Sequence, residues 1–326
     1  MSSRAAGSLG AGSAGPGGAA AGPAPLLEFD HVTKWYGTVA ALMDTSFRVG
    51  TEVVGLVGRN GVGKSTLMKL AAGLLVPSQG AVRVLGHPAG SLAARARLGF
   101  CPDLDRLYEP LSGRDFVAWM LRYHGLSLAA ARRRAEQVLD ELGLGPHQHR
   151  KIREYSKGMR QRVRLAQAIA HRPRVVLLDE PMTGLDPIAR GELAAAIQAL
   201  PAQGTGVLVS SHVLHELEAI VDRVVLVHQG RLLAEGRVAE LREQVPGRPK
   251  SFRIVAGDPR GFAARLLALP QVAGVVFLDA GLQVTVGDLR GFHPALTELC
   301  AAWAPGVREI VPLDADLAFV FEHLVG

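Results

Sequence analysis

Short apolar runs alternate along this chain with longer stretches of helical spacing. The runs Val53-Val54-Gly55-Leu56-Val57, Val175-Val176-Leu177-Leu178 and 206–209 read as buried strands. Between them, apolar residues recur at steps of three and four. Leu67, Leu70, Ala71 and Leu74 mark one helix; Phe116, Trp119, Met120 and Tyr123 mark a face of a second. Ala131, Ala135, Val138, Leu139 and Leu142 mark a third, and helices are expected over 158–170, 188–200 and 214–220. Strands over 26–29 and 41–49 flank a turn at Gly37, and Pro77-Ser78-Gln79-Gly80 turns into a strand over 81–85. Strands 224–227 and 232–234 make an edge hairpin around His228-Gln229-Gly230-Arg231. This alternation predicts an α/β core, its sheet largely parallel with helices on both sides.

The order changes after residue 245. Pro246-Gly247-Arg248-Pro249-Lys250 reads as a linker. Beyond it come strand 251–256, helix 260–269, strands 272–278 and 282–286, helix 294–303 and strand 307–312. Asp279-Ala280-Gly281 is the hairpin turn. This β-α-β-β-α-β order predicts a small α+β, ferredoxin-like domain over 251–326, closed by a helix over 317–324.

The candidate chemistry starts at Gly58-Arg59-Asn60-Gly61-Val62-Gly63-Lys64-Ser65-Thr66, which fits the phosphate-cradling pattern G-x-x-x-x-G-K-[ST]. The pattern needs a strand before it and a helix after it, and has both. Glycines let backbone N–H groups turn inward onto a phosphate. The helix start adds free N–H groups and the positive end of its dipole. Lys64 suits the outer phosphates, and the Ser65 hydroxyl suits Mg²⁺. Asp179 and Glu180 end the strand over 175–178, where an α/β sheet places its ligands. Asp179 suits the Mg²⁺ shell, and Glu180 suits polarisation of an attacking water. Two acids before Pro181 mean little alone; the phosphate loop upstream gives them weight.

Composition sets limits. In 326 residues, hydrophobics reach 48% but aromatics only 5%, so Leu, Val and Ala build the core. Cys101 and Cys300 form neither a disulfide framework nor a zinc motif, and a reducing compartment is the expectation. The net charge of +6 permits anionic neighbours but specifies none, and no specific nucleic acid is expected. Arg132-Arg133-Arg134 reads as a solvated helix face. The longest uncharged stretch beyond the N-terminal tail, 193–214, is broken by Pro201, glutamines and glycines, so no membrane helix is expected. Residues 1–24 are Gly, Ala, Ser and Pro around Arg4, apart from Met1 and Leu9; they lack a signal peptide's apolar block and read as a disordered leader.

Over about residues 26–245 the chain resembles the nucleotide-binding subunits of ABC transporters. Residues 58–66 match Walker A, and Val175 to Glu180 match Walker B with its catalytic Glu. Tyr155-Ser156-Lys157-Gly158-Met159 matches the signature motif, Gly184-Leu185-Asp186 the D-loop and His212 the switch histidine. Tyr36 matches the aromatic that stacks on adenine. The signature variant, Tyr-Ser-Lys-Gly-Met for Leu-Ser-Gly-Gly-Gln, looks like the exporter branch.

The resemblance implies a P-loop NTPase core over 25–245, with a mixed sheet and a helical subdomain over about 104–165. It implies ATP and Mg²⁺. The nucleotide contacts carried over are Tyr36, Gly58, Arg59, Asn60, Gly61, Val62, Gly63, Lys64, Ser65, Thr66, Ser156, Gly158 and Asp186. The metal set is Ser65, Asp103 and Asp179, and the catalytic pair is Glu180 and His212. Ser156 and Gly158 precede a helix start and would meet ATP bound to the opposite subunit. The family usually has Gln at position 103. Asp there can reach Mg²⁺ through a water or can simply begin a turn facing solvent. The implied assembly is a head-to-tail dimer, a homodimer or paired ATPase subunits. Two ATPs are sandwiched within it, on a separately encoded permease at the cytoplasmic face of the cell membrane. The domain over 251–326 reads as a packing or dimer-supporting module.

Two rival readings differ in class. Family members acting on ribosomes usually carry two ATPase units, and those acting on DNA insert long coiled coils; this chain has one Walker A and a short helical insert. A nucleotide-binding module without turnover would not need Glu180 and His212.

Overall fold

The computed structural model describes residues 24–104, 106–243, 250–279, 281–303 and 306–313. Most of the expected leader and linker, and the helix expected over 317–324, lie outside these residues. In chain order the elements are β1 (Leu27–Tyr36), β2 (Val39–Val49), β3 (Val53–Val57), α1 (Lys64–Ala71), β4 (Gln79–Val84) and β5 (His87–Pro88). Next come α2 (Leu92–Arg95), β6 (Leu98–Cys101), α3 (Gly113–Tyr123), α4 (Leu128–Glu141), α5 (Lys157–Ile169) and β7 (Val175–Asp179). They are followed by α6 (Pro187–Gln198), β8 (Gly206–Ser211), α7 (Leu214–Glu218), β9 (Arg223–His228), β10 (Arg231–Arg237) and α8 (Val238–Glu243). The chain continues through β11 (Lys250–Val255), α9 (Pro259–Leu266), β12 (Val272–Leu278), β13 (Gly281–Val286), α10 (Leu289–Trp303) and β14 (Glu309–Pro312).

The central sheet runs β10-β9-β3-β8-β7-β6, parallel except for the edge strand β10. Its inner strands β3, β7, β8 and β9 are largely apolar because both faces are covered. Alternate residues serve two cores. Val53, Val176, Leu178, Val207 and Val209 face the helices, whereas Val54, Leu56, Val175, Leu177 and Leu208 face α1 and a second sheet. Truncating one such side chain, Leu177→Ala, would cost about 2–5 kcal/mol.

That second sheet, β2-β1-β4-β5, is antiparallel, so the expectation of one largely parallel sheet covers only part of the core. Its strands are longer than their sequence pattern suggests. His31 and Asp44 both take left-handed backbone, φ 50° and 47°, and their side chains meet at 2.7 Å. Register shifts there break the in–out alternation from which the strands are recognised. β6 is a further strand the apolar pattern does not announce. It has four residues, and any side chain at Gly99 would strike the Ala168 carbonyl of α5.

Helices α3 and α4 form a hairpin against α5. Ser112 and Ser127 cap them, each accepting the backbone N–H three residues on. The face expected on α3 needs correction. Phe116 is buried, but Trp119 and Tyr123 are 51% and 80% exposed, and the buried stripe is completed by Val117, Ala118 and Leu121. In α4, Arg132 and Arg133 are solvated as expected; Arg134 instead turns inward, its Nε donating to the Ala170 carbonyl at 2.9 Å.

Strands β12-β13-β11-β14 form an antiparallel sheet in the ferredoxin-like order, with its own core around Phe252, Ile254, Phe262, Leu282, Val284 and Phe292. Helix α10 begins five residues before the expected start, taking in Pro294. Asp288 explains the early start, because its carboxylate accepts the Arg290 N–H at 3.1 Å.

Candidate active site

The phosphate loop joins β3 to α1 along the C-terminal edge of the central sheet. Two of its glycines are required by close approach. A Cβ on Gly58 would press on the Val227 carbonyl, and Gly63, at φ 113°, would place one 2.8 Å from the Ala41 carbonyl. Lys64 opens α1, with a side chain only 6% exposed. Its Nζ donates to the Gly58 carbonyl at 2.6 Å and the Arg59 carbonyl at 3.3 Å, and lies 3.8 Å from Glu180 Oε1. Burial lowers the pKa of this ammonium, against the raising fields of Glu180 and Asp179. A buried cation with so little compensation is poised to receive an anion.

Asp179 ends β7 beside Ser210 of β8, in register, and the Ser210 hydroxyl donates to its carboxylate at 2.6 Å. Burial raises the carboxyl pKa. Hydrogen bonds from Ser210 and Ser65 oppose that, while Asp103 and Glu180 push it further up. A buried carboxylate, the Ser65 hydroxyl and the Asp103 carboxylate form a hard-oxygen set that fits Mg²⁺.

Glu180 sits just past the strand with left-handed backbone, φ 50°. Its N–H donates to Ser210 Oγ at 3.0 Å. Its Oε2 accepts Thr183 Oγ1 at 3.2 Å, the His212 backbone N–H at 3.4 Å and His212 Nδ1–H at 2.8 Å. That strained backbone turns the carboxylate back over the loop.

These groups enclose a hollow of about 390 Å³. Asn60, Gly61, Gly63, Lys64, Ser65 and Thr66 line its floor, with Asp103, Glu180, Thr183 and His212 around the rim. Asp103 is positioned by α5, since Gln167 donates to the Phe100 carbonyl at 3.2 Å and Arg164 donates to the Pro102 carbonyl. Gly58, Arg59 and Val62 shape the loop through their backbones.

Asp179, bonded to Ser65, is not itself part of the lining, and four other expected residues lie away from both the loop and the lining. Tyr36 is 47% exposed at the end of β1, with Lys34 Nζ 5.4 Å from its ring centre. Ser156 caps α5, accepting the Met159 N–H at 3.3 Å. A Cβ on Gly158 would sit 3.0 Å from that of Ala189, so this glycine lets α5 approach α6. Asp186 caps α6, accepting the Ala189 N–H at 2.9 Å. Two residues of the site were not singled out from sequence. Ser210 signals itself as a hydroxyl at the end of an apolar strand, and Thr183 only by falling three residues after Glu180.

A phosphate loop at the strand ends, a buried lysine and two acids two strands over define a P-loop nucleotide-binding protein. Residues 42–183 match the ABC transporter family. The chain is 33% identical over 283 residues to the daunorubicin/doxorubicin resistance ATP-binding protein DrrA of Streptomyces peucetius, covering 85% of this chain and 86% of that protein. It is 35% identical over 222 residues to the Nod factor export ATP-binding protein I of Paraburkholderia xenovorans, covering 67% and 73%. A solved ATP-binding subunit of an ABC transporter superposes with a TM-score of 0.61 at 34% identity, covering 67% of this chain and 92% of that one. The chain belongs to the ATP-binding subunits of ABC transporters.

Proposed function

We propose that this chain hydrolyses ATP to power export through a separate membrane permease. In this reading it works at the cytoplasmic face as a head-to-tail dimer, with two ATPs between its subunits. The observation that carries the reading is the meeting of Lys64, Ser65, Glu180 and His212 at one hollow, with buried Asp179 hydrogen-bonded to Ser65 and Ser210 beside it. Lys64 exchanges its carbonyl partners for the outer phosphates, and loop N–H groups hold the rest. Ser65, Asp179 and Asp103 would hold Mg²⁺, which would offset the charge on the phosphates. Glu180 takes a proton from the attacking water, and His212, already hydrogen-bonded to Glu180, orients that carboxylate and faces the terminal phosphate.

Export is supported by the Nod factor export relative and by the signature variant. Dimerisation is supported by Ser156 and Gly158, which lie apart from the hollow. No described helix is long and apolar enough to cross a membrane, which fits reliance on a permease. Size-exclusion chromatography of Glu180→Gln with ATP and Mg²⁺ tests the assembly: a stable dimer is expected. A nucleotide-bound monomer would count against the sandwich.

A further inference from the structure

A smaller hollow, about 170 Å³, lies at the opposite end of the central sheet, between α4, the end of α5 and the start of β7. Asp179 ends β7 and Arg174 precedes it, so about 16 Å of strand separates the two sites. Three arginines line this hollow, Arg134, Arg172 and Arg174, against one acid, Glu141.

Arg172 and Arg174 are open to solvent at the mouth of the hollow, and few protein groups neutralise the three cations. Arg134 is mostly buried, and its Nη1 is 3.5 Å from Glu141, a long contact. Arg174 uses Nε on the Gly204 carbonyl at 3.0 Å, and its outer nitrogens point to no partner among the described residues. The Arg172 guanidinium makes no ion pair or hydrogen bond among the described residues. Yet Arg172 occupies left-handed backbone, φ 56°, in the turn leaving α5, where glycine would be relaxed. Burial lowers the pKa of Arg134, Glu141 opposes this, and Arg172 lowers it further.

We propose that this hollow is a second anion site, taking a small dianion of the phosphate type. Three cations and one carboxylate leave a charge for a dianion to balance. Guanidinium forks pair two-pronged with tetrahedral oxyanions. The volume is below the roughly 300–1,000 Å³ of pockets that enclose larger ligands, so a phosphate group fits and a nucleotide does not. Arg134 and Glu141 belong to the helical hairpin, whereas Arg174 and Thr205 border the sheet. A bound anion therefore ties one to the other.

The test is equilibrium dialysis of radiolabelled inorganic phosphate against the full chain, with a non-hydrolysable ATP analogue and Mg²⁺ saturating the phosphate loop. One saturable phosphate per chain is expected, at about millimolar affinity. Arg172→Ala, remote from the nucleotide hollow, should weaken it about tenfold, as loss of one charged partner demands. Arg174→Gln should act in the same direction, which covers a folding failure of the first variant. Glu141→Gln should tighten binding, because a competing carboxylate is gone. No saturable phosphate, or affinity unchanged by Arg172→Ala and Arg174→Gln, overturns the site. Vesicles containing phosphatidic acid distinguish a lipid headgroup: binding to them alone through Arg172 refutes a free-anion site.

Discussion

The Lys64 side of the proposed nucleotide machinery and its Ser156 side are built differently. Around Lys64, four separate pieces of chain converge: the loop after β3, the end of β7, β8 with the residues after it, and the segment after β6. Their side chains compensate one another incompletely. Lys64 is buried against carbonyls, Asp179 is buried with only the Ser210 and Ser65 hydroxyls on it, and Glu180 is folded back with strained backbone. Around Ser156 the contacts are local and structural. Its hydroxyl caps a helix, and Gly158 is filled against Ala189. A region holding unsettled charge needs a ligand to complete it. A satisfied surface can serve one only by being brought to it, as the proposed head-to-tail dimer would do.

The largest effect should come from Lys64→Ala. It removes the only side-chain cation lining the phosphate hollow among the described residues. ATP hydrolysis should be lost and nucleotide binding weakened, as read by phosphate release and by titration with a fluorescent ATP analogue. Turnover at the wild-type rate would sink the assignment of the whole Lys64 side.

Glu180→Gln should come next. It keeps the shape of the side chain and its hydrogen-bonding oxygen but removes the base, so hydrolysis should slow by about 10²–10⁴-fold while ATP still binds. Single-turnover measurement separates the steps. A variant that fails to bind ATP would show that Glu180 acts on the ground state.

The sequence made one side far more legible than the other. The phosphate loop and the Asp179-Glu180 pair announce themselves because each chemistry needs particular residues at fixed spacing beside a strand end. Ser210 does not, since its role depends on β8 lying next to β7, a pairing between residues 31 apart. Trp119 and Tyr123 misled for the converse reason. Helical spacing puts residues on one face but does not say which face is covered. The antiparallel sheet was hidden by the His31–Asp44 bulge, which breaks the alternation.

Acid should loosen the back of the molecule that carries the signature helix. His171, at the end of α5, stacks on His124 of the hairpin at 3.9 Å, and its Nε2–H donates to the Leu98 carbonyl at 3.1 Å. Burial, with His124 adding, pushes its pKa down from 6.5 to about 4. Folded His171 thus resists a proton that the unfolded chain accepts. Its stabilising contribution is full above about pH 6.5 and is lost as pH falls towards about 4, amounting to about 2–3 kcal/mol. Urea melts between pH 7 and pH 4 should show this slope, and His171→Phe should flatten it. Equal slopes in both proteins would place the acid sensitivity elsewhere.

Ser156→Ala probes the satisfied side. Loss of the cap should lower stability by about 1 kcal/mol. ATP binding by the isolated chain should not change, whereas ATP-driven dimerisation should weaken. Weaker ATP binding by the monomer would contradict the separation of the two sides.

Asp103→Gln should have the smallest effect, and it tests how the Lys64 side handles its negative charge. Asp103 lines the same hollow as Ser65 and Glu180, and its field raises the proton affinity of Asp179. A glutamine in its place would be neutral, as is usual in the family. Carboxylates crowded in one site repel unless a cation sits between them. Mg²⁺ is that cation in the proposed reaction, so Asp103 should strengthen the demand for it and the hold upon it. The glutamine variant should keep its ATPase activity but need about two- to fivefold more free Mg²⁺ for half-maximal rate, the scale of one modest hydrogen bond. A Mg²⁺ titration of both proteins at fixed ATP reads this directly. Superimposable curves would mean that Asp103 only opens a turn, and that Ser65 and Asp179 supply the protein's metal contacts without it.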